Sequence, residues 1–574
     1  MKANKHERTD VIFAVVPFAT LTFPVIGVSL LKAALTEIGI QSTIRYFNLE
    51  FGKHIGLAVY GRIADSFGDA ALLGDWVFSQ SLFDDDQADD DWFELQFLSD
   101  YPDRKDFLLQ AKEVRSPAEA HLDRWADEIL SMRPRIVGFP TSFQQNAATL
   151  ALAKRVKQGP NPPIVIFGGA NCLGEMAVGL LRAFPWIDYV CNGEGDEVFP
   201  LFVRRILAGE DVGEIPGILK QGPNIVQTDA PMVRALDRLP MPDYADFFYQ
   251  FKCLQLKPLK PHLLIETSRG CWWGQKHHCT FCSIWDNGMA YRSKSPERTL
   301  DEYRTLARRY RVNRFLCVDN ILDMRYIPTL FPKLAELKPK PQIFYEVKAN
   351  LRHDQLKTLS KGGVRWIQPG IESFSDEILR IMKKGCTAIQ NLQLLRWCNE
   401  MGIHVAWNLL FGFPGEPPGH YDKAARLIPK LHHLQPPLCI VKIRMDRYSP
   451  NFVEPETFGF REVRASKYYA HLFPANADNL HLMAHFFDYE YADERDPYEY
   501  TSQFRQACDE WQSAFKDRPV LDARDDGEQI KIRDTRICAV RRRHRLTGLR
   551  ARIYSALDAG RELEVLKNMV MPRN

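Results

Sequence analysis

Up to residue 230, short and mainly apolar runs alternate with stretches in which apolar residues recur every three or four positions. Val11–Val16, Ser42–Asn48, Ile136–Phe139, Ile164–Phe167 and Tyr189–Cys191 predict strands buried on both faces, and the periodic stretches between them predict helices. That is the alternation of a doubly wound α/β sheet. Helical or irregular material interrupts it between Gly52 and Met132, including the acidic run Asp84 to Asp91, which reads as a solvated loop, with a divalent-cation site as the alternative.

A proline-bearing connection, Pro231 to Pro242, precedes a second alternation. Strands are predicted at His262–Ser268, Arg314–Val318, Gln342–Lys348, Trp366–Ile371, His404–Leu410 and Leu438–Arg444. Helices are predicted near 297–311, 326–337, 353–361, 375–383, 389–401 and 421–433. Six parallel repeats predict an open partial (β/α)6 barrel. Past residue 455 the pattern breaks into a small α+β region, with strands at Val520–Leu521 and Ile530–Ile532 and helical spacing over Arg541–Leu566. The expected domains are 1–230, a linker 231–257, 258–455 and 456–574.

A net charge of +3 over 574 residues gives no broad electrostatic footprint for nucleic acid or an anionic membrane, which leaves Arg541–Arg545 as a local basic patch. Val11–Leu31 carries no charge, yet Pro17, Pro24 and Gly27 interrupt it. A strand, a turn and a helix from about Val25 into Ile38 explain it without a membrane. Twelve cysteines at this length do not make a disulfide framework, so a reducing, cytoplasmic setting is expected.

Three of those cysteines carry the chemistry. Cys271, Cys279 and Cys282 are spaced C-x7-C-x2-C after a predicted strand. Three thiolates hold a [4Fe-4S] cluster and leave one iron open for a small molecule. Zinc or a redox pair are the alternatives, with His277 or His278 as a fourth ligand. In a barrel of this kind, polar residues at strand carboxyl ends are read as ligand-binding. These are Asp319 and Asn320, Glu346 and Lys348, Gln368, Gly370, Glu372 and Ser373, then Asn408 with Gly412–Glu416, then Arg444. Buried salt bridges could account for any one of them. In the first region, Phe139–Gln144, Phe167–Asn171 and Cys191–Glu197 follow successive strands, where open α/β sheets bind ligands, and their glycines allow close backbone approach.

The cysteine loop with Phe281, the motif from Gly370-Ile-Glu372-Ser373 to Lys-Lys-Gly385, and Asn408-Leu-Leu-Phe-Gly-Phe-Pro-Gly-Glu416 together resemble radical S-adenosylmethionine enzymes with an N-terminal cobalamin domain. The usual C-x3-C-x2-C loop is widened here by four residues. The resemblance covers roughly residues 10 to 455. It implies a cluster on Cys271, Cys279 and Cys282 whose open iron chelates S-adenosylmethionine. It implies binding of that molecule by Phe281, Asp319, Glu346, Lys348, Gln368, Gly370, Glu372, Ser373, Asn408 and Arg444, with Gly370 letting the adenine pack close.

Asn192-Gly193-Glu194-Gly195-Asp-Glu197 is similar to the signature that ends the family's cobalamin domain. The implied cobalamin-binding residues are Pro17, Pro24, Thr141, Ser142, Phe143, Gly168, Gly169, Asn171, Asn192, Gly193, Glu194 and Gly195. The chain contains no Asp-x-His-x-x-Gly, the motif that donates a histidine to cobalt in other cobalamin proteins, so the resemblance implies water or nothing on the lower axial face. The widened loop, the start Val15-Val-Pro-Phe18 and Tyr46–Gly56 are most similar to a subgroup that matures ribosomally made peptides.

The function expected on this resemblance is C-methylation of an unactivated carbon in a precursor peptide, with an external electron donor and without nucleic acid or membrane as partner. A cobalamin-containing enzyme that oxidises, crosslinks or rearranges a peptide or small metabolite is the runner-up. A methylthiotransferase-like nucleic-acid modifier would want a second N-terminal cysteine triad, and only Cys172 and Cys191 precede Cys253. A non-catalytic binding module would leave the open cluster coordination unused.

Overall fold

Val11–Val15 (β1) is buried at every position because strands flank it on both sides and helices cover both faces. The computed structural model describes residues 9–68, 71–83, 90–284, 289–560 and 562–570. They fall into two compact units, Met1–Thr267 with Trp285–Leu316 and Glu462–Tyr489, and Ser268–Ile284 with Cys317–Arg461 and Glu490–Asn574. Most of the acidic run, Asp84–Asp89, lies outside the described residues. No described helix is long and apolar enough to cross a membrane.

The first unit holds β1 with Ser42–Tyr46 (β2), Ile136–Pro140 (β3), Ile164–Gly168 (β4), Tyr189–Cys191 (β5) and Ile218–Lys220 (β6), ordered β2-β1-β3-β4-β5-β6. All neighbours are parallel except β6, which returns antiparallel on β5. The order reverses between β1 and β3, the switch point where such sheets open a crevice at their carboxyl edge. The uncharged N-terminal stretch is the strand β1, a turn and the helix Ile26–Glu37.

The expected linker is packed rather than loose. Its helix Ala245–Cys253 docks on β2, where Asp246 accepts from Ile44 N (2.8 Å) and pairs with Lys32 (2.7 Å). Helix Ala477–Met483 packs on Glu175–Ala183 so closely that a Cβ at Gly179 would meet Leu482 Cβ at 2.8 Å.

In the second unit, Gln342–Val347, Val364–Pro369 and His404–Val405 are successive parallel strands, and Asn408–Phe411 pairs in parallel with Cys439–Lys442. Each begins or ends within a few residues of its predicted place. The expected fifth strand divides at Ala406-Trp407, and the expected helix 326–337 divides into Tyr326–Thr329 and Phe331–Ala335, with Pro332 opening the second piece.

The C-terminal part carries one larger difference. Leu521–Asp525, Gln529–Asp534 and Arg543–Thr547 form a three-stranded antiparallel sheet. Arg543–Arg545 therefore lie on a strand, and the helices after them are Gly548–Ala556 and Leu563–Val570. Strand pairing wins there because the alternation sends Arg543 and Arg545 to one face while Leu546 pairs with Ile530 on the other.

Candidate functional site

All twelve cysteines are free, and Cys271, Cys279 and Cys282 sit part-buried on one loop of the second unit. Burial is the largest cause raising the thiol pKa at Cys271, and it pushes Cys282 up to about 12. At both, the Cys279 thiol adds to the rise and the Lys384 ammonium opposes it, so the three sulfurs and that cation feel one another. Gly274 N–H points at Cys271 Sγ at 3.3 Å.

Neither histidine of the loop is disposed as a further ligand. His278 Nε2 lies 2.9 Å from Cys282 O, and the His277 ring lies against Trp273 at 4.2 Å. No group of three His, Cys, Asp or Glu side chains among the described residues is drawn together as around a single metal ion. A cubane tolerates a wider spread because each thiolate binds a different iron. Thr280 Oγ1, between two of the cysteines, is buried with no hydrogen-bond partner among the described residues. Three thiols outside any disulfide and an orphaned hydroxyl on one loop fit a [4Fe-4S] cluster.

The strand ends supply the polar rim. Register places Glu346 beside Gln368, and Gln368 is exposed. Lys384 Nζ stands 3.1 Å from Glu372 Oε1 and 5.3 Å from the Phe281 ring centroid, and Phe281 meets Phe413 edge-on at 5.9 Å. Burial works against the Lys384 charge, but Glu372 and then Cys279 outweigh it and raise its pKa. Burial raises the Glu346 carboxyl to about 7; Lys384 opposes this, and Asp319 and Glu372 reinforce it. Asp319 is buried and accepts from Ser268 Oγ at 2.8 Å.

Lys348 is turned to the protein, donating to Lys384 O (2.9 Å) and to Gly385 O. Glu372 adopts φ 57°, between tight bends in which Ile371 N donates to Pro369 O and Ser373 N to Ile371 O. Its carbonyl accepts from Leu410 N (3.0 Å), which brings the Glu372 segment to the Asn408 strand. Arg444 pairs with Asp446 at 2.5 and 2.9 Å.

The close approach at Gly370 is made by a residue that the sequence reading passes over. A Cβ at 370 would fall 2.2 Å from Lys384 Nζ, so the ammonium occupies the space that a side chain at 370 would need. Lys384 sits in the quoted Lys-Lys-Gly385 motif, and two lysines among apolar residues beside a glycine were the available signal.

In the first unit, Thr141, Ser142 and Phe143 follow β3, Gly168, Gly169 and Asn171 end or follow β4, and Asn192–Gly195 follow β5. Ser142, Phe143 and Gly168 are half-buried, and Gly169 and Gly193 are exposed, which leaves a carboxyl-edge surface of backbone and small polar groups that fits a nucleotide-bearing cofactor. Pro17 and Pro24 are buried in the turn after β1.

Three of the implied cobalamin-binding residues make side-chain hydrogen bonds or ion pairs within the first unit. Asn192 accepts from Gly174 N (2.7 Å) and donates to Thr228 O and Asp229 Oδ1 (both 2.9 Å). Asn171 donates to Thr141 Oγ1 (3.1 Å) and Ser142 O (2.7 Å). Glu194 pairs with Arg292 at 2.7 Å and accepts from Val233 N at 2.8 Å. Gly169 (φ +111°) is required by packing, since a Cβ there would sit 2.5 Å from Thr141 O.

Three curated relatives align over about half of this chain. An uncharacterized methyltransferase of Pyrococcus horikoshii is 25% identical over 311 residues (52% of this chain, 64% of its own). The hopanoid C-3 methylase of Methylococcus capsulatus is 26% identical over 317 residues (53% and 57%). The anaerobic magnesium-protoporphyrin IX monomethyl ester cyclase of Rubrivivax gelatinosus is 26% identical over 314 residues (51% and 54%). The chain thus spans a little over half the length of these relatives.

Two solved structures share the fold. The cobalamin-dependent S-adenosylmethionine radical enzyme OxsB aligns at TM-score 0.60 and 13% identity, over 89% of this chain and 67% of that one. The radical S-adenosylmethionine methyltransferase TsrM from Kitasatospora setae aligns at TM-score 0.58 and 15% identity, over 87% and 91%. Residues 265–428 match the Radical SAM superfamily, a stretch that contains all three loop cysteines and every rim candidate except Arg444.

Proposed function

We propose that this chain is a cobalamin-dependent radical S-adenosylmethionine C-methyltransferase that acts on an unactivated carbon of a ribosomally made peptide. The observation that carries the reading is three free thiols on one loop, within the same radical SAM match as the Lys384–Glu372 pair. Cys271, Cys279 and Cys282 would hold a [4Fe-4S] cluster, which supplies the electron and the open iron that S-adenosylmethionine chemistry needs. The loops after β1, β3, β4 and β5 would hold cobalamin, which supplies the methyl group.

The chain's own groups bind, orient and shield. Glu346 presents two acceptor oxygens at a strand end, which two adjacent ribose hydroxyls can donate to. Lys384 compensates Glu372 and supplies positive charge beside the cysteines. Phe281 and Phe413 form an apolar wall that excludes water. The widened loop supports assignment to the peptide-maturing subgroup. Arg524, Lys531, Arg533, Arg543 and Arg545 share one exposed face of the C-terminal sheet, which supports an extended acidic segment as partner.

The cyclase among the relatives favours a second reading, in which the same cofactors serve an oxidation or ring closure without methylation. Mass spectrometry separates the two. The reconstituted enzyme, given trideuteromethyl-labelled S-adenosylmethionine and the precursor peptides encoded beside this gene, should add one trideuteromethyl group and form 5′-deoxyadenosine together with S-adenosylhomocysteine. A product that has lost hydrogen and gained no methyl would reject methylation in favour of the second reading.

A further inference from the structure

The four residues that widen the cysteine loop match one helical turn, Gly274–His277. Gln275 N donates to Cys271 O (2.8 Å), His277 N to Trp273 O (2.9 Å) and His278 N to Gly274 O (3.0 Å). A single turn has no stability of its own, so tertiary contacts must hold it. Two adjacent tryptophans make them. Trp272 Nε1 donates to Leu322 O at 3.1 Å, and Leu322 N in turn donates to Glu346 O at 2.8 Å. Trp273 Nε1 donates to Lys383 O at 3.1 Å.

The Trp273 ring is held from two sides. Lys348 Nζ sits 3.9 Å above its centroid while donating to Lys384 O and Gly385 O. On Gly385 (φ +64°), a Cβ would fall 2.0 Å from the indole. Thr280 N adds a further bond to Met382 O at 3.1 Å, so the 382–385 turn receives both the indole and the backbone between two cysteines.

We infer that Trp272 and Trp273 are positioning residues that clamp the lengthened loop to the strand-end segment at Leu322 and to the turn 382–385 that follows helix Asp376–Ile381, and so fix the spacing of the three thiols. Residue 385 is glycine because the indole occupies its side-chain space. The inference rests on the cluster reading above. It assigns the extra turn a purpose, since a longer loop between thiols keeps a defined geometry only if its added length is tied down.

The test is cluster lability. The wild-type chain and the variants Trp272→Phe, Trp273→Phe, the double variant and Gly385→Ala are reconstituted anaerobically with iron and sulfide. Iron release to a ferrous chelator is timed, and the reduced cluster's electron paramagnetic resonance spectrum is recorded. Each phenylalanine keeps a ring and removes one donor, so each should release iron about three- to ten-fold faster, with the double variant faster still. Gly385→Ala, which pushes on the indole from its other side, should reproduce the Trp273→Phe spectrum. Wild-type release rates and spectra in Trp272→Phe and Gly385→Ala would overturn the inference even if Trp273→Phe cannot be purified. A wild-type chain that takes up no cluster would remove both this inference and the function beneath it.

Discussion

Lys384 Nζ stands 3.1 Å from Glu372 Oε1 in the space that a side chain at residue 370 would need, 2.2 Å from where a Gly370 Cβ would be. Glycine at 370 thus leaves room for the ammonium beside Glu372. Alanine there must shift the ammonium and so disturbs its placement against Glu372. Gly370→Ala should weaken S-adenosylmethionine binding about ten-fold or more while iron content stays at the wild-type level, as read by isothermal titration and iron assay. Unchanged affinity would separate this pair from the binding site.

A second prediction concerns pH and lies away from the site. Asp75 is buried, with Oδ1 accepting from Ala147 N at 2.8 Å; burial raises its carboxyl from 3.8 to about 7 against three backbone hydrogen bonds. The folded chain therefore binds one more proton than the unfolded chain between those values. Its contribution is fully present below pH 3.8 and is lost as pH rises through about 7. Asp75→Asn keeps the acceptor and removes the titration. Unfolding free energies measured by denaturant titration from pH 5 to pH 8 should fall in the wild type relative to Asp75→Asn, by an amount on the order of a few kcal/mol. Parallel curves would refute the shift.

The C-terminal sheet offers a third test. Arg533 pairs with Asp522 and Lys531 with Asp526, both at 3.1 Å, which leaves Arg524, Arg543 and Arg545 without an ion pair among the described residues. Reversing Arg543 and Arg545 to glutamate, or removing residues 515–574, should weaken precursor-peptide binding about ten-fold or more. Peptide-independent S-adenosylmethionine cleavage should hold near its wild-type rate. Equal peptide affinity in both variants would reject this role for the region.

These tests reflect what the chain discloses directly and what it conceals. Four of the five parallel strands of the first sheet are legible because burial on both faces makes them mostly apolar, while β2, Ser42–Tyr46, is only partly buried and carries Ser42, Thr43 and Arg45. β6 is three residues long and returns antiparallel, too short to show a period. Arg543–Arg545 reads as helix or solvated charge because only alternate residues of an exposed strand need be apolar, and only Leu546 is. The cysteines announce themselves by spacing, but Trp272, Trp273 and Lys384 act through backbone carbonyls or through the missing Cβ of a glycine distant in sequence. Asn192 shows the converse: a motif residue whose polar atoms the fold has already used.

With no histidine-donating motif in the chain, cobalamin bound to the first unit should carry no protein nitrogen on its lower face. The nearby histidines have other places. His121 Nδ1 is 2.8 Å from Pro117 O, and the His54 ring lies against His121 at 4.7 Å. The cob(II)alamin spectrum of the loaded protein should show no nitrogen superhyperfine splitting from an axial base. A resolved histidine splitting would contradict this.

The central claim is that Cys271, Cys279 and Cys282 hold the cluster that cleaves S-adenosylmethionine, and formation of 5′-deoxyadenosine tests it most directly. The reconstituted wild-type chain, given a strong reductant and S-adenosylmethionine, should form 5′-deoxyadenosine, and each single alanine variant of the three cysteines should form none above background. Full iron and sulfide content with undiminished 5′-deoxyadenosine formation in all three variants would contradict it.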